Sequence, residues 1–119
     1  MPRKVFVSGT FDLLHSGHVA FLAEAASHGD LYVCIGNDEC VFRLKGRYPV
    51  SSQDERKYMI DSLRSVKECR ISRGMGLLDF VDELRDIRPD VFVVNEDGAH
   101  ESKTQLCREL GIEYLVLRR

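Results

Sequence analysis

Five short apolar runs punctuate this chain, and the stretches between them are long enough for helices. The runs are Lys4–Ser8 (KVFVS), Asp30–Ile35 (DLYVCI), a brief one at Cys69–Ser72, Asp90–Val94 (DVFVV) and Ile112–Leu117 (IEYLVL). Apolar residues at nearly every position fit strands buried on both faces rather than half-exposed ones. Ser16–His28 places Val19, Leu22, Ala23 and Ala26 on one helical stripe. Asn37–Arg43 predicts a helical turn, followed by a polar loop over Leu44–Val50. Ser52 and Glu55 have the spacing of a capping box. They open a helix running to about Leu63, with Tyr58, Met59, Leu63 and Val66 at core spacing. Leu77–Ile87 predicts a helix that Pro89 ends, and His100–Leu110 one that Gly111 closes. Alternation of this kind predicts an α/β fold: Rossmann-like and doubly wound, with a five-stranded parallel sheet and helices on both faces. Ligands of such sheets collect at the carboxyl ends of strands, where the strand order reverses. The loops over 9–18, 44–56 and 95–100 hold most of the unusual residues.

The 119 residues suit a single domain spanning 1–119, large enough to bury a core unaided. A net charge of −2 gives no basic excess to meet a nucleic-acid backbone. No apolar run approaches the roughly 20 residues a bilayer span needs, and the N-terminus has no signal-peptide pattern. Cys34, Cys40, Cys69 and Cys107 form no C-x-x-C pair. Reduced, buried thiols in a cytoplasmic protein are expected, not a zinc site.

The chemistry concentrates in "GTFDLLHSGHVAFL", Gly9 to Leu22. Gly9 allows a tight turn out of the first strand and close approach of a ligand to the backbone. Thr10 and Phe11 follow with free backbone amides. Ser16-Gly17-His18 opens a helix whose unpaired N–H groups make an anion site, most commonly for phosphate. Gly17 would let backbone and phosphate meet. The positive helix end disfavours a charged His18. A lone histidine here would be a surface or cap residue; two, flanking a glycine after a strand-turn signal, favour a site. No third ligand at metal-site spacing stands nearby.

The same stretch resembles the signature of the cytidylyltransferase-like nucleotidyltransferases, whose hallmark is His-x-Gly-His. It is similar to the branches acting on glycerol 3-phosphate and on heptose 1-phosphate. "RLKGRYPVSSQDERKYMIDSLRSV" is similar to the family's second shared region and "RPDVFVVNEDG" to its third. The resemblance implies transfer of a nucleotidyl group from CTP or ATP to a phosphorylated alcohol or sugar, with release of pyrophosphate. It implies that His15 and His18 donate to the triphosphate and stabilise the transition state, as electrostatic catalysis requires. Gly9, Thr10, Phe11 and Gly17 would contact the nucleotide through backbone. Lys45 and Arg47 would bring positive charge from a mobile loop, and Arg56 would reach the β- or γ-phosphate with a bidentate guanidinium. Asp97 would lie near the nucleotide. Mg2+ is the implied cofactor, with Asp97 as one carboxylate for it. Asp12 reads equally as a turn-capping residue or a metal-linked one.

Arg64-Ser65-Val66-Lys67 stands where relatives carry Arg-Tyr-Val-Asp at a dimer contact; Arg64 is kept and a base replaces the acid. A homodimer is the expected assembly. Relatives continue after the last strand with Arg-Thr-x-Gly-Ile-Ser, a helix start that holds the distal phosphates. Arg119 falls at that motif's arginine, so the sequence is expected to be a piece of a longer protein. Two other readings compete: a non-catalytic nucleotide-binding or regulatory domain, which would bind nucleotide without releasing pyrophosphate, and a generic doubly wound binding domain indifferent to triphosphates. CTP and ATP are not distinguished by these residues.

Overall fold

The computed structural model describes residues 2–118. Five strands, β1 (Lys4–Gly9), β2 (Asp30–Ile35), β3 (Val66–Ile71), β4 (Val91–Asn95) and β5 (Glu113–Leu117), form one sheet in the order β3-β2-β1-β4-β5. Every neighbouring pair is parallel. The helices are α1 (Ser16–Ala26), α2 (Asp38–Lys45), α3 (Gln53–Asp61), α4 (Val81–Ile87) and α5 (Glu101–Leu110), with a short 3₁₀ turn at Glu96–Gly98. This is the expected Rossmann-like architecture.

The apolar strands work because successive side chains serve opposite layers. Val5, Val7, Leu31, Val33, Ile35, Val91 and Val93 pack with Leu22 and Ala25 of α1 and Ile60 of α3. Phe6, Cys34, Phe92 and Val94 face the other way, onto Phe80, Leu84 and Ile87 around α4 and Leu106 and Cys107 of α5. Phe6, Phe80 and Phe92 meet at ring-centroid distances of 5.1 to 5.8 Å, tilted or edge-on, the arrangement aromatic quadrupoles favour. The chain starts at β1, winds outward through β2 to β3, then crosses back to β4 and β5. The order therefore reverses between β1 and β4, and a crevice opens above their carboxyl ends.

Several boundaries differ from the sequence expectation. The buried stripe of α1 runs through Phe21, Leu22, Ala25 and Ala26, while Val19 and Ala23 are exposed. Packing of Leu22 and Ala25 against the sheet sets which face is buried. α2 is a full helix: the Asn37 side chain caps the Cys40 N–H at 2.8 Å, and Gly46 ends it in a left-handed conformation. Lys45 is thus held on a helix rather than on a mobile loop. α3 stops at Asp61, whose carboxylate accepts from the Cys69 N–H at 2.7 Å, and β3 begins three residues earlier than expected, at Val66. Val66 packs in the core as a strand residue, and Tyr58 is 75% exposed instead of buried. The Leu77–Phe80 segment is turn, not helix, because the Gly74 N–H bonds the Asp79 carbonyl and folds the chain back before α4 starts.

All four cysteines are buried and free. Burial pushes the thiols up, to about 12 for Cys69 and about 11 for Cys107. No helix among the described residues is long and apolar enough to cross a membrane.

Candidate active site

A cavity of about 790 Å³ lies over the ends of β1 and β4, at the switch point. Gly9, Thr10, Phe11, Asp12, His15, Gly17, His18, Lys45, Arg47 and Asp97 all line it. The fold thereby gathers residues from three separate loops.

The histidines are locked to each other by the start of α1. His15 is the N-cap: its Nδ1 accepts from the Gly17 N–H at 3.0 Å, and His18 Nδ1 accepts from the His15 N–H at 3.2 Å. This is a capping box built from two imidazoles instead of the usual hydroxyl and carboxylate. An accepting Nδ1 places the proton of each neutral ring on Nε2, so each ring keeps one N–H donor. The rings stack at 3.9 Å, and Phe11 meets His18 edge-on at 5.4 Å. Burial, and then the charge of His15, lower the pKa of His18 below the ordinary imidazole value.

The glycines acquire reasons different from those in the sequence. A Cβ on Gly17 would sit 2.8 Å from His15 Cε1, and one on Gly9 would sit 2.8 Å from Phe11 Cε2. Gly17 makes room for the His15 ring, and Gly9 for the Phe11 ring that supports His18. Phe11 is itself buried and, with Leu13, takes a positive φ of 51°. That conformation is costly for side chains with a Cβ, and it concentrates strain in the turn before the histidines.

Asp12 ties two loops together. Its carboxylate accepts from the Val50 N–H at 2.8 Å and the Ser51 N–H at 3.0 Å. Burial pushes its pKa up, but bonds from Ser51, Val50 and Leu13 and the charge of Arg56 outweigh that and hold it low. Of its two expected readings, the geometry displays the capping one, across chain segments rather than within a turn.

Arg56 lies elsewhere than expected. It is fully buried, and its guanidinium donates to the Ser51 carbonyl (3.0 Å), the Thr10 carbonyl (2.9 Å) and Asp38 Oδ1 (2.7 Å). Those three bonds turn the fork inward, and Arg56 does not line the cavity. It braces the β1–α1 turn against the starts of α2 and α3. Lys45, at the end of α2, and Arg47, just beyond it, do line the cavity. Tyr48 beside them stacks on Phe42 at 4.5 Å and donates to Glu39 at 3.0 Å. Asp97 sits in the 3₁₀ turn after β4. No group of three or more His, Cys, Asp or Glu side chains among the described residues is arranged to hold a metal. Arg119 lies outside the described residues.

Of the charged residues that line the cavity, one is absent from the sequence reading. Lys103, in the first turn of α5, reaches the same space and donates to the Gly98 carbonyl at 2.8 Å. In the sequence it is an unremarkable lysine on an amphipathic helix; only the return of α5 beside β4 brings it inward.

Comparison with known proteins fits this geometry. The profile of the cytidylyltransferase-like family matches residues 6–116. The chain is 36% identical over 118 residues to the FAD synthase of Aciduliprofundum boonei, an alignment covering 97% of this chain and 76% of the relative. It is 38% identical over 107 residues to the FAD synthase of Methanopyrus kandleri, covering 87% and 69%. Among solved structures, a lipopolysaccharide core biosynthesis protein from Thermoplasma volcanium shares the fold with a TM-score of 0.81 at 24% identity, over 99% of this chain and 96% of the other. With that profile spanning β1 to β5 and the paired histidines at the switch point, the chain belongs to the cytidylyltransferase-like family.

Proposed function

We propose that this nucleotidyltransferase moves an adenylyl group from ATP to a phosphorylated polyol, FMN, and releases pyrophosphate. The observation that carries the reading is the imidazole capping box, which fixes two Nε2–H donors beside a helix N-terminus in a cavity that Lys45 and Arg47 make cationic. The FAD synthase relatives favour ATP over CTP and FMN over other phosphorylated alcohols or sugars.

In this reading an oxygen of the FMN phosphate attacks the α-phosphorus of ATP. A P–O bond forms there, the bond to the β-phosphate oxygen breaks, and its electron pair leaves with pyrophosphate. The attacking phosphate is already largely ionised at neutral pH, so no base has to remove a proton. The protein's tasks are alignment and offsetting charge on the phosphoryl oxygens. His15 and His18 donate to those oxygens. The backbone of Gly9, Thr10, Phe11 and Gly17 cradles the nucleotide, and Lys45 and Arg47 meet the phosphates. Arg56 acts through the turn it braces, as a positioning residue. Both oxygens of Asp12 are engaged by backbone N–H groups, so Asp97 is the carboxylate here that would hold Mg2+. A single protein carboxylate would suit magnesium, which commonly keeps water and phosphate ligands, and the ion would supply charge to offset that of the triphosphate. Arg119 would add a further cation, and a homodimer remains part of the reading.

Pyrophosphate release measured with ATP or CTP, each with and without FMN, tests the proposal. Release requiring both ATP and FMN is expected. Nucleotide binding without release would favour a non-catalytic binding domain instead.

A further inference from the structure

A second, smaller cavity of about 230 Å³ adjoins the first. The two share a seam at the end of β1, and the cations on that seam are Lys45 from α2 and Lys103 from α5. Beyond it, the smaller cavity is walled by Cys40, Leu44, Leu77 and Phe80, with Asp79 among them. Leu44 and Leu77 are about half exposed, at 56% and 49%, so the mouth is an uncovered apolar rim. The larger cavity, by contrast, holds the histidines, Arg47 and Asp97. The larger space is lined by imidazole and cationic groups and the smaller mainly by apolar side chains, and both lysines line both.

Resting on the nucleotidyl-transfer reading, we propose that the smaller cavity takes an acceptor with an apolar ring system and that Lys103 binds the acceptor's phosphate at the seam. In-line transfer brings the acceptor phosphate against the nucleotide's α-phosphate. If the nucleotide fills the larger cavity, that meeting point is the seam. Two phosphates approaching there repel each other, and cations on both sides offset the repulsion. Lys103 is placed for this. It is half-buried, and its one hydrogen-bond acceptor, the Gly98 carbonyl, is neutral. Burial lowers its pKa, against a smaller upward pull from Asp79. Asp79 acts on it only at a distance, so this half-buried ammonium, bonded to a carbonyl, has no direct ion-pair partner among the described residues, and an arriving phosphate supplies one. Leu44 and Leu77 then cover the ring, removing their own apolar surface from water.

Steady-state kinetics with ATP and FMN on wild type, Lys103→Met, Lys103→Arg and Leu77→Ser test the inference. Lys103→Met should raise the KM for FMN about tenfold or more, the size of one lost charge-assisted hydrogen bond, while the KM for ATP moves less than about twofold. Lys103→Arg should recover most of that loss, because the charge returns. Leu77→Ser removes a half-exposed side chain that the core does not need. It should weaken FMN binding, read directly by quenching of flavin fluorescence, and leave ATP unaffected. An unchanged FMN KM in Lys103→Met, or an equal rise for ATP, overturns the inference while the transfer reading stands. A wild-type protein that releases no pyrophosphate from ATP and FMN overturns both.

Discussion

At the residue scale, the two histidines are structural and chemical groups at once. Each Nδ1 is consumed in capping α1, which points the remaining donor of each ring by covalent geometry rather than by side-chain chance. Gly17→Ala tests this coupling. The added methyl would meet His15 Cε1 at 2.8 Å, and a ring at the end of a side chain can swing aside. Turnover should fall by about tenfold or more, as expected for misplacing a preorganised donor, with little change in Tm. Equal activity with a normal Tm would mean that ring placement is unimportant. His18 also gives a pH signature. Its folded pKa is lowered from the ordinary 6.5, chiefly by burial and then by His15. The unfolded chain therefore binds more protons in the window just below 6.5, and stability falls as pH drops through it toward the folded pKa. Replacing His18 with Asn removes the titration, so Tm measured from about pH 7 to pH 5 should decline less steeply than in wild type. Parallel slopes would contradict the assignment. That the histidines, Gly9 and Gly17 gather at one turn was legible from their spacing. The reasons for the glycines were not, because ring positions are tertiary facts: both make room for aromatic side chains of the same loop.

At the element scale, the site depends on connections between the starts of helices. Asp12 holds the segment before α3, and Arg56 holds the β1–α1 turn to α2 and α3. Removing Arg56 would strand the Thr10 and Ser51 carbonyls and the Asp38 carboxylate together. Arg56→Ala should cost about 3 kcal/mol in denaturant unfolding, the low end for breaking a buried pair, since Asp38 keeps some contact with water. Lysine at that position should not restore it, because one ammonium cannot span three acceptors in a planar fork. A loss below about 0.5 kcal/mol would mean the brace is dispensable. Strand and helix identities followed from hydrophobic pattern, but ends did not. α2 runs two residues past its expected end to its Gly46 cap, the Asp61–Cys69 bond shortened α3, and the Gly74–Asp79 bond kept Leu77–Phe80 out of α4. The last two are hydrogen bonds between residues the local pattern does not link. Arg56 illustrates the same limit: its charge suggests a phosphate-facing side chain, and in the fold it is fully buried on the face of α3 that also carries Ile60.

At the scale of the whole molecule, strand order decides where chemistry can occur. The reversal between β1 and β4 leaves one crevice, and three loops distant in sequence deliver their charged groups into it. The alternating pattern made the doubly wound sheet legible, and from it the expected position of the site. Lys103 was not legible, since its place depends on α5 folding back beside β4. The central claim is that this crevice aligns a nucleoside triphosphate with a phosphorylated acceptor and that His18 stabilises the charge formed in transfer. The most direct measurement is pyrophosphate release from ATP and FMN by wild type and His18→Ala, with folding of the variant checked by Tm. Release that needs both substrates and falls by a hundredfold or more in a folded variant, about the effect of losing one preorganised donor, is predicted. Undiminished release by folded His18→Ala would contradict the account.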